Sequence, residues 1–212
     1  MIYKEILERL EKSGIHYLVV GGVAVNLHGV ERFTGDLDVI LSLDLDSLEK
    51  FSLIMNDLGY KTRIPADPKL LANPEIRKDW VENKHMKAFS FYHHKEQQNI
   101  VDIVISHPLN FEIAYGKRED RRIYGISVPV VSFDDLVSMK REASRPKDKL
   151  DLEMLDIVQS KKKGSRNIDV NDWGYFDTDD YKVGRYMGIP DETKLDWLEE
   201  ARLFQLEIQK SA

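Results

Sequence analysis

Two aspartates one residue apart, Asp36 and Asp38, are the side chains of this 212-residue sequence best placed to do chemistry. Residues i and i+2 of a strand share a face, so their carboxylates would stand together and repel each other. A hard divalent cation resolves that conflict. Mg²⁺, or Mn²⁺ in its place, is commonly held by one or two carboxylates together with substrate phosphates. Asp102 is a third candidate, because it interrupts the β-branched run Ile100-Val101-Asp102-Ile103-Val104-Ile105. A charge there is costly unless paired or metal-bound. If its strand lies beside that of Asp36 and Asp38, three carboxylates converge, as two-metal phosphoryl chemistry requires. Upstream, Gly21-Gly22 follow an apolar run directly. Glycines let the backbone turn tightly and approach a phosphate closely, and the start of a following helix offers free N–H groups to it.

The elements that must position these residues can be read from periodicity. Ile2, Ile6, Leu7 and Leu10 predict a helix over 2–13, stopped at Gly14. His16–Val20 predicts a buried strand, followed by the glycine turn and a small-residue helix reaching Gly29. Leu37–Leu43 predicts the next strand, and Asp46–Leu58 a helix ended by Gly59. Residues 65–84 read as an irregular or helical insertion. Met86–Tyr92 and Asn99–Ser106 read as strands joined by a polar turn, and Ile123–Val131 as another strand. Ser132 with Asp135 forms a capping-box pattern opening a helix. Pro146 breaks that helix at Arg145, and it resumes over 147–160. The composition shifts at Lys161-Lys162-Lys163-Gly164, after which 165–190 is polar, aromatic and without clear period. A last helix over about 191–210 carries Trp197, Ala201, Phe204 and Ile208 at helical spacing, read as core or interface packing. This predicts an α/β (α+β) domain over 1–160, then a linker and helical C-terminal appendage over 161–212.

Composition excludes several other chemistries. There is no cysteine, hence no disulfide framework, thiolate zinc site or thiol nucleophile. No apolar run approaches the roughly 18 residues of a membrane span, and the charged start lacks a signal-peptide pattern, so a cytoplasmic protein is the expectation. The net charge of −6 argues against non-specific coating of DNA. A local basic groove built from Arg118, Arg121, Arg122, Lys140 and Arg141 would still suit RNA.

The stretch from Gly21 to Asp38 closely resembles the signature of the nucleotidyltransferase superfamily, of DNA polymerase beta-like fold: a Gly-Gly turn, a helix, then Asp-x-Asp, with a later Asp on a strand. The form Gly-Gly-x-Ala, then Gly-x-x-Arg-x-Thr-x-Asp-x-Asp, looks most like the branch containing AbiEii-type toxins of bacterial toxin–antitoxin systems. Residues 137–151, with Lys140, Arg145, Lys147, Asp148 and Asp151, resemble that branch's later helical motif. The resemblance covers roughly residues 15–160 and implies a mixed β-sheet flanked by helices. It implies transfer of a nucleoside monophosphate from an NTP to an acceptor hydroxyl, with Mg²⁺ and release of pyrophosphate. By position, Gly21 and Gly22 would contact the triphosphate. Asp36 and Asp38 would bind both metals, and Asp102 the catalytic one while helping to activate the acceptor hydroxyl. Lys140 would approach the phosphates as a point charge. Arg32 and Thr34 would belong to the nucleotide site. An antitoxin protein would be a partner, and the acceptor could be RNA, a protein or a small molecule.

Two rival readings use the same residues. One is a catalytically inactive protein of this fold that binds nucleotide, RNA or a protein partner; the intact aspartate set argues against it. The other is a metal-dependent phosphate hydrolase, which would release phosphate or monophosphate without labelling an acceptor. His28, His93 and His94 are read as ordinary packing or solvated residues, not metal ligands. Arg145 and Asp148 are read as a pair across the proline break.

Overall fold

The computed structural model describes residues 2–164 and 178–211. Helix α1 (Ile2–Ser13) buries Ile6, Leu7 and Leu10 of the stripe its periodicity predicts, and Tyr3 beside them. Strand β1 (Tyr17–Val19) is buried throughout and runs into α2 (Gly21–Leu27). Strand β2 (Asp36–Leu41) precedes α3 (Leu45–Asp57), which Asp44 caps by accepting the Ser47 N–H. A short strand β3 (Tyr60–Thr62), which the reading lacks, precedes the insertion, and the insertion itself holds a 3-10 turn (Pro68–Ala72) and α4 (Pro74–Glu82). Strands β4 (Ala88–His93) and β5 (Ile100–Val104) follow as expected.

The next stretch differs from the reading. Helix α5 (Phe111–Gly116) and strand β6 (Glu119–Ile123) were not expected, and the strand foreseen over 123–131 is only β7 (Ile126–Val130). β6 and β7 form a hairpin turning at Tyr124-Gly125, both with positive φ. Because β6 is an edge strand of sequence Glu-Asp-Arg-Arg-Ile, it lacks the apolar alternation that reveals a strand.

The seven strands form one mixed sheet in the order β3-β4-β5-β2-β1-β7-β6. β2 lies parallel to β5 and antiparallel to β1. On one face Leu37, Val39, Val101 and Ile103 are fully buried, continued by Phe89 and Phe91 on β4. Phe51 of α3 packs against Phe91 with ring centroids 5.6 Å apart. The alternate residues, Asp36, Asp38, Asp102 and Ser90, occupy the opposite face.

After the sheet come α6 (Phe133–Ala143) and α7 (Pro146–Lys162). Ser132 caps α6 as expected, its Oγ accepting the Asp135 N–H at 3.3 Å. Pro146 opens α7. Lys140 joins the two helices: its Nζ lies 3.1 Å from Asp148 and 2.6 Å from Asp151, all three side chains buried. Arg145 Nε adds a bond to Asp148 at 2.7 Å, the expected pair across the break. Burial would raise the Asp148 pKa, but Arg145 and Lys140 hold it below the usual carboxylate value.

Two further helices, α8 (Thr178–Met187) and α9 (Asp191–Ser211), close the chain. α8 was not expected; it packs on α7, while α9 touches α1, α2 and β6. The stripe read from α9 is not part of the core: Trp197, Phe204 and Ile208 are exposed, whereas Leu195, Leu198, Glu199 and Arg202 face inward. Residues 165–177, half of the stretch read as lacking period, lie outside the described residues. No helix among the described residues is long and apolar enough to cross a membrane.

Replacing Lys140 by Met would leave Asp148 and Asp151 buried without their shared cation. Loss of one partner from such a set costs about 3–5 kcal/mol, so Lys140→Met should lower the urea midpoint sharply at pH 7. At pH 3 the deficit should shrink, since a depressed carboxylate pKa stabilises the fold only above the unfolded-state value.

Candidate active site

Strand register brings the aspartates together. Asp38 pairs directly with Asp102 across the parallel β2–β5 ladder, and Asp36 lies two residues before Asp38 on the same face. Each of the three offers an oxygen within 4.8 Å of the other two. No other group of three or more His, Asp or Glu side chains among the described residues is so arranged. Asp102 neighbours the Ser90 hydroxyl, but its Oδ1 is buried without a hydrogen-bond partner. Burial, Asp36 and Asp102 together push the Asp38 carboxyl up to about 7. Burial likewise raises Asp102. An orphaned carboxylate oxygen amid mutual repulsion is the donor set a hard divalent cation fits.

The glycine turn lies against these carboxylates. Gly21 has φ +64, and a Cβ there would stand 1.8 Å from Asp38 Oδ2. At Gly22 a Cβ would stand 2.1 Å from Arg32 Nη1 and 2.5 Å from Thr34 Oγ1. Only glycine fits either position. The Gly22 N–H bonds the Asp38 carboxyl, so this amide of the short α2 serves the aspartate.

The loop from Gly29 to Gly35 is pinned by side chains. Asn26 Nδ2 donates to the carbonyls of Gly22 at 2.9 Å and Arg32 at 2.6 Å. Its Oδ1 accepts the Arg32 N–H at 3.2 Å and the Tyr186 hydroxyl of α8 at 2.7 Å. Thr34 Oγ1 donates to Asp36 Oδ1 at 2.7 Å. Arg32 Nε meets Asp151 at 2.8 Å, while Nη1, buried beside Gly22, has no hydrogen-bond partner.

A cavity of about 290 Å³ joins Gly21, Gly22, Arg32, Thr34, Asp36, Asp38 and Asp102 to Lys140, Arg145 and Lys147. Val104, Pro108, Leu136 and Met139 line its apolar part. Every site residue named from the sequence therefore borders one space. Lys140 does so with its ammonium committed to Asp148 and Asp151, so a direct phosphate contact would have to displace one of those pairs. Sequence reasoning missed Asn26, Asp151's hold on Arg32, and Tyr186. Three of the five residues named for a basic groove are committed elsewhere or buried. Arg118 pairs with Asp120 at 2.9 Å, Arg121 with Glu119 at 2.6 Å, and Lys140 is buried.

No protein-family model and no curated protein sequence matches the chain. Solved structures do. The lincosamide antibiotic adenylyltransferase LnuA, lincomycin-bound, matches with TM-score 0.50 and 18% identity, over 73% of this chain and 96% of that one. The chain thus shares the fold of that adenylyltransferase. The antibiotic-resistance factor ANT(2'')-Ia is also similar, at TM-scores of 0.41 in solution and 0.46 in complex with adenylyl-2''-tobramycin. Both comparisons have 12% identity; they cover 99% and 87% of this chain, and 95% and 94% of the other.

The raised Asp38 pKa has a consequence for stability. A carboxyl whose folded pKa is raised contributes fully below its unfolded value, near about 4, and that contribution is lost as pH rises through about 7. Without metal, Asp38→Asn should therefore raise Tm at pH 8, by on the order of 1–3 kcal/mol of stability, and by less at pH 5. Mg²⁺ should raise the Tm of the wild type at pH 8 and leave the variant unmoved; scanning calorimetry with and without Mg²⁺ checks both.

Proposed function

We propose that the protein is an NTP-dependent nucleotidyltransferase. The observation that carries this reading is the convergence of Asp36, Asp38 and Asp102 beside the side-chain-free turn Gly21-Gly22. When bound at these carboxylates, Mg²⁺ or Mn²⁺ supplies neutralising charge for the triphosphate and for the carboxylates themselves. The rest is the work of the chain. Gly21 and Gly22 leave the cavity floor open to close approach by the triphosphate. The unpartnered Arg32 Nη1 donates to a phosphate oxygen, held in aim by the bond from Nε to Asp151. Lys140 acts as a positioning residue through that Asp151, and Arg145 and Lys147 offset the charge of the departing pyrophosphate. The apolar wall around Leu136 and Met139 takes the base.

The acceptor's hydroxyl oxygen attacks the α-phosphorus in line. The bond from that phosphorus to the bridging oxygen breaks, and pyrophosphate leaves with the electron pair. Asp102, with one oxygen free of any protein partner, accepts the hydroxyl proton. Positioning and charge neutralisation do most of the catalysis. A small molecule is the favoured acceptor, as lincomycin is the antibiotic bound to LnuA. The toxin role, with an antitoxin partner, rests on the motif resemblance alone.

Calorimetric titration of each NTP with Mg²⁺ into wild type and into Asp36→Ala/Asp38→Ala tests the reading. One NTP should bind in a metal-dependent way and be lost in the double variant. With that NTP labelled at the α-phosphate, Asp102→Asn should retain binding within a few-fold while transfer falls roughly 10²–10⁴-fold. Binding of no NTP by the wild type, or release of monophosphate with no acceptor labelled, would sink the proposal.

A further inference from the structure

A second cavity, of about 500 Å³, lies beyond Asp36, which is the one wall residue it shares with the first. Its walls come from three separate places: Arg63 just after β3, Gln97 and Gln98 in the β4–β5 turn, and Arg202 and Gln205 on α9. Two arginines and one carboxylate thus border it, and three amide side chains supply neutral donors and acceptors.

Arg202 is the decisive residue. It is only 4% exposed, yet neither Nη1 nor Nη2 has a hydrogen-bond partner. Its positive charge opposes the effect of burial on the phenols of Tyr3 and Tyr60, which places it beneath the active-site loop, with Glu199 nearby. A buried guanidinium fork without partners is costly, and its natural complement is a carboxylate or phosphate. Asp36, the one carboxylate in the wall, already accepts from Thr34 and stands in the metal-binding group. Arg63 stands at the other end of the wall.

We propose that this groove binds an oxyanion, phosphate or carboxylate, carried by the acceptor, so that the protein modifies an anionic hydroxyl compound. The oxyanion bridges Arg63 and Arg202, Gln97 and Gln98 hold the neighbouring polar groups, and the hydroxyl lies at Asp36 and Asp102. The acceptor assignment rests on the nucleotidyltransferase reading, whereas the oxyanion site stands without it.

The test separates the two. Inorganic phosphate and, separately, acetate are titrated without Mg²⁺ into ¹⁵N-labelled protein, following the backbone amides of Gly35, Gln97 and Gln98 by NMR. At least one anion should shift these signals saturably, and the tighter of the two names the acceptor's charged group. The dissociation constant should rise about tenfold or more in Arg63→Gln and in Arg202→Gln. Arg63→Gln, altering an exposed side chain, keeps the test valid should Arg202→Gln fail to fold. Signals that do not move, or variants that bind as tightly as wild type, overturn the site. In a second arm, labelled NTP with Mg²⁺ is offered glycerol 3-phosphate, glycerate and glycerol. Transfer to an anionic member should exceed transfer to glycerol by about tenfold or more, and the reverse preference overturns the acceptor assignment. Anion binding at Gln97 and Gln98 with no Mg²⁺-dependent NTP binding keeps the oxyanion site and overturns the nucleotidyltransferase reading instead.

Discussion

Asp36, Asp38 and Asp102 are held so close by the β2–β5 register that their negative charges cannot be relieved by turning away. The opposite face of the same strands is filled by Leu37, Val39, Val101 and Ile103, all fully buried. A slip of one residue would bury the carboxylates and expose this core, so the apolar face fixes the register and the register fixes the repulsion. The surroundings then follow. Gly21 has no Cβ because Asp38 occupies its place, Thr34 orients Asp36, and Asn26 ties the intervening loop to the turn. The fold tolerates an aspartate whose pKa lies far above its ordinary value, a cost that a bound cation would offset.

A second layer of charge sits behind the first and has the opposite character, being well paired. Arg32, Asp151, Lys140, Asp148 and Arg145 alternate in sign and are linked by contacts of 2.6–3.1 Å. Buried ion pairs add little net stability, but breaking one is expensive, so such a chain specifies geometry more than it strengthens the fold. Here it locks the α6–α7 joint to the loop that carries Arg32. The proline that interrupts the helix is part of this arrangement. It frees the Arg145 backbone from helical geometry, so that the Arg145 N–H and guanidinium both reach Asp148.

The residues that build the carboxylate face were legible because their signals are local: two glycines after an apolar strand, Asp-x-Asp at strand spacing, an aspartate inside a β-branched run. Ser132 and Pro146 were legible for the same reason. What stayed hidden depends on partners distant in sequence. β6 is a strand only because β7 pairs with it, and its charged residues reveal nothing by themselves. Lys140 looked like a phosphate ligand until the helix after the proline brought Asp148 and Asp151 to it. On α9 the large aromatic residues suggested a packing stripe, yet the inward face carries Leu195, Leu198, Glu199 and Arg202. That face meets a partly polar surface around Tyr3 and Tyr60, where apolar spacing misleads.

The placement of α8 and α9 bears on how such a site could acquire specificity. On the proposed reading, the sheet and its three aspartates address only what every nucleoside triphosphate shares. Tyr186 reaches Asn26, and Arg202 borders the groove beyond Asp36, so both late helices adjoin the site. Side chains there are free to change without disturbing the strand register, since none of them contributes to the β2–β5 ladder. On the proposed reading, metal and triphosphate chemistry belongs to the invariant geometry of the sheet. Selection of the acceptor falls to a helix whose residues can be exchanged one at a time. A buried arginine without a partner at that position is then the mark of a ligand, because the fold alone gives no reason to desolvate it.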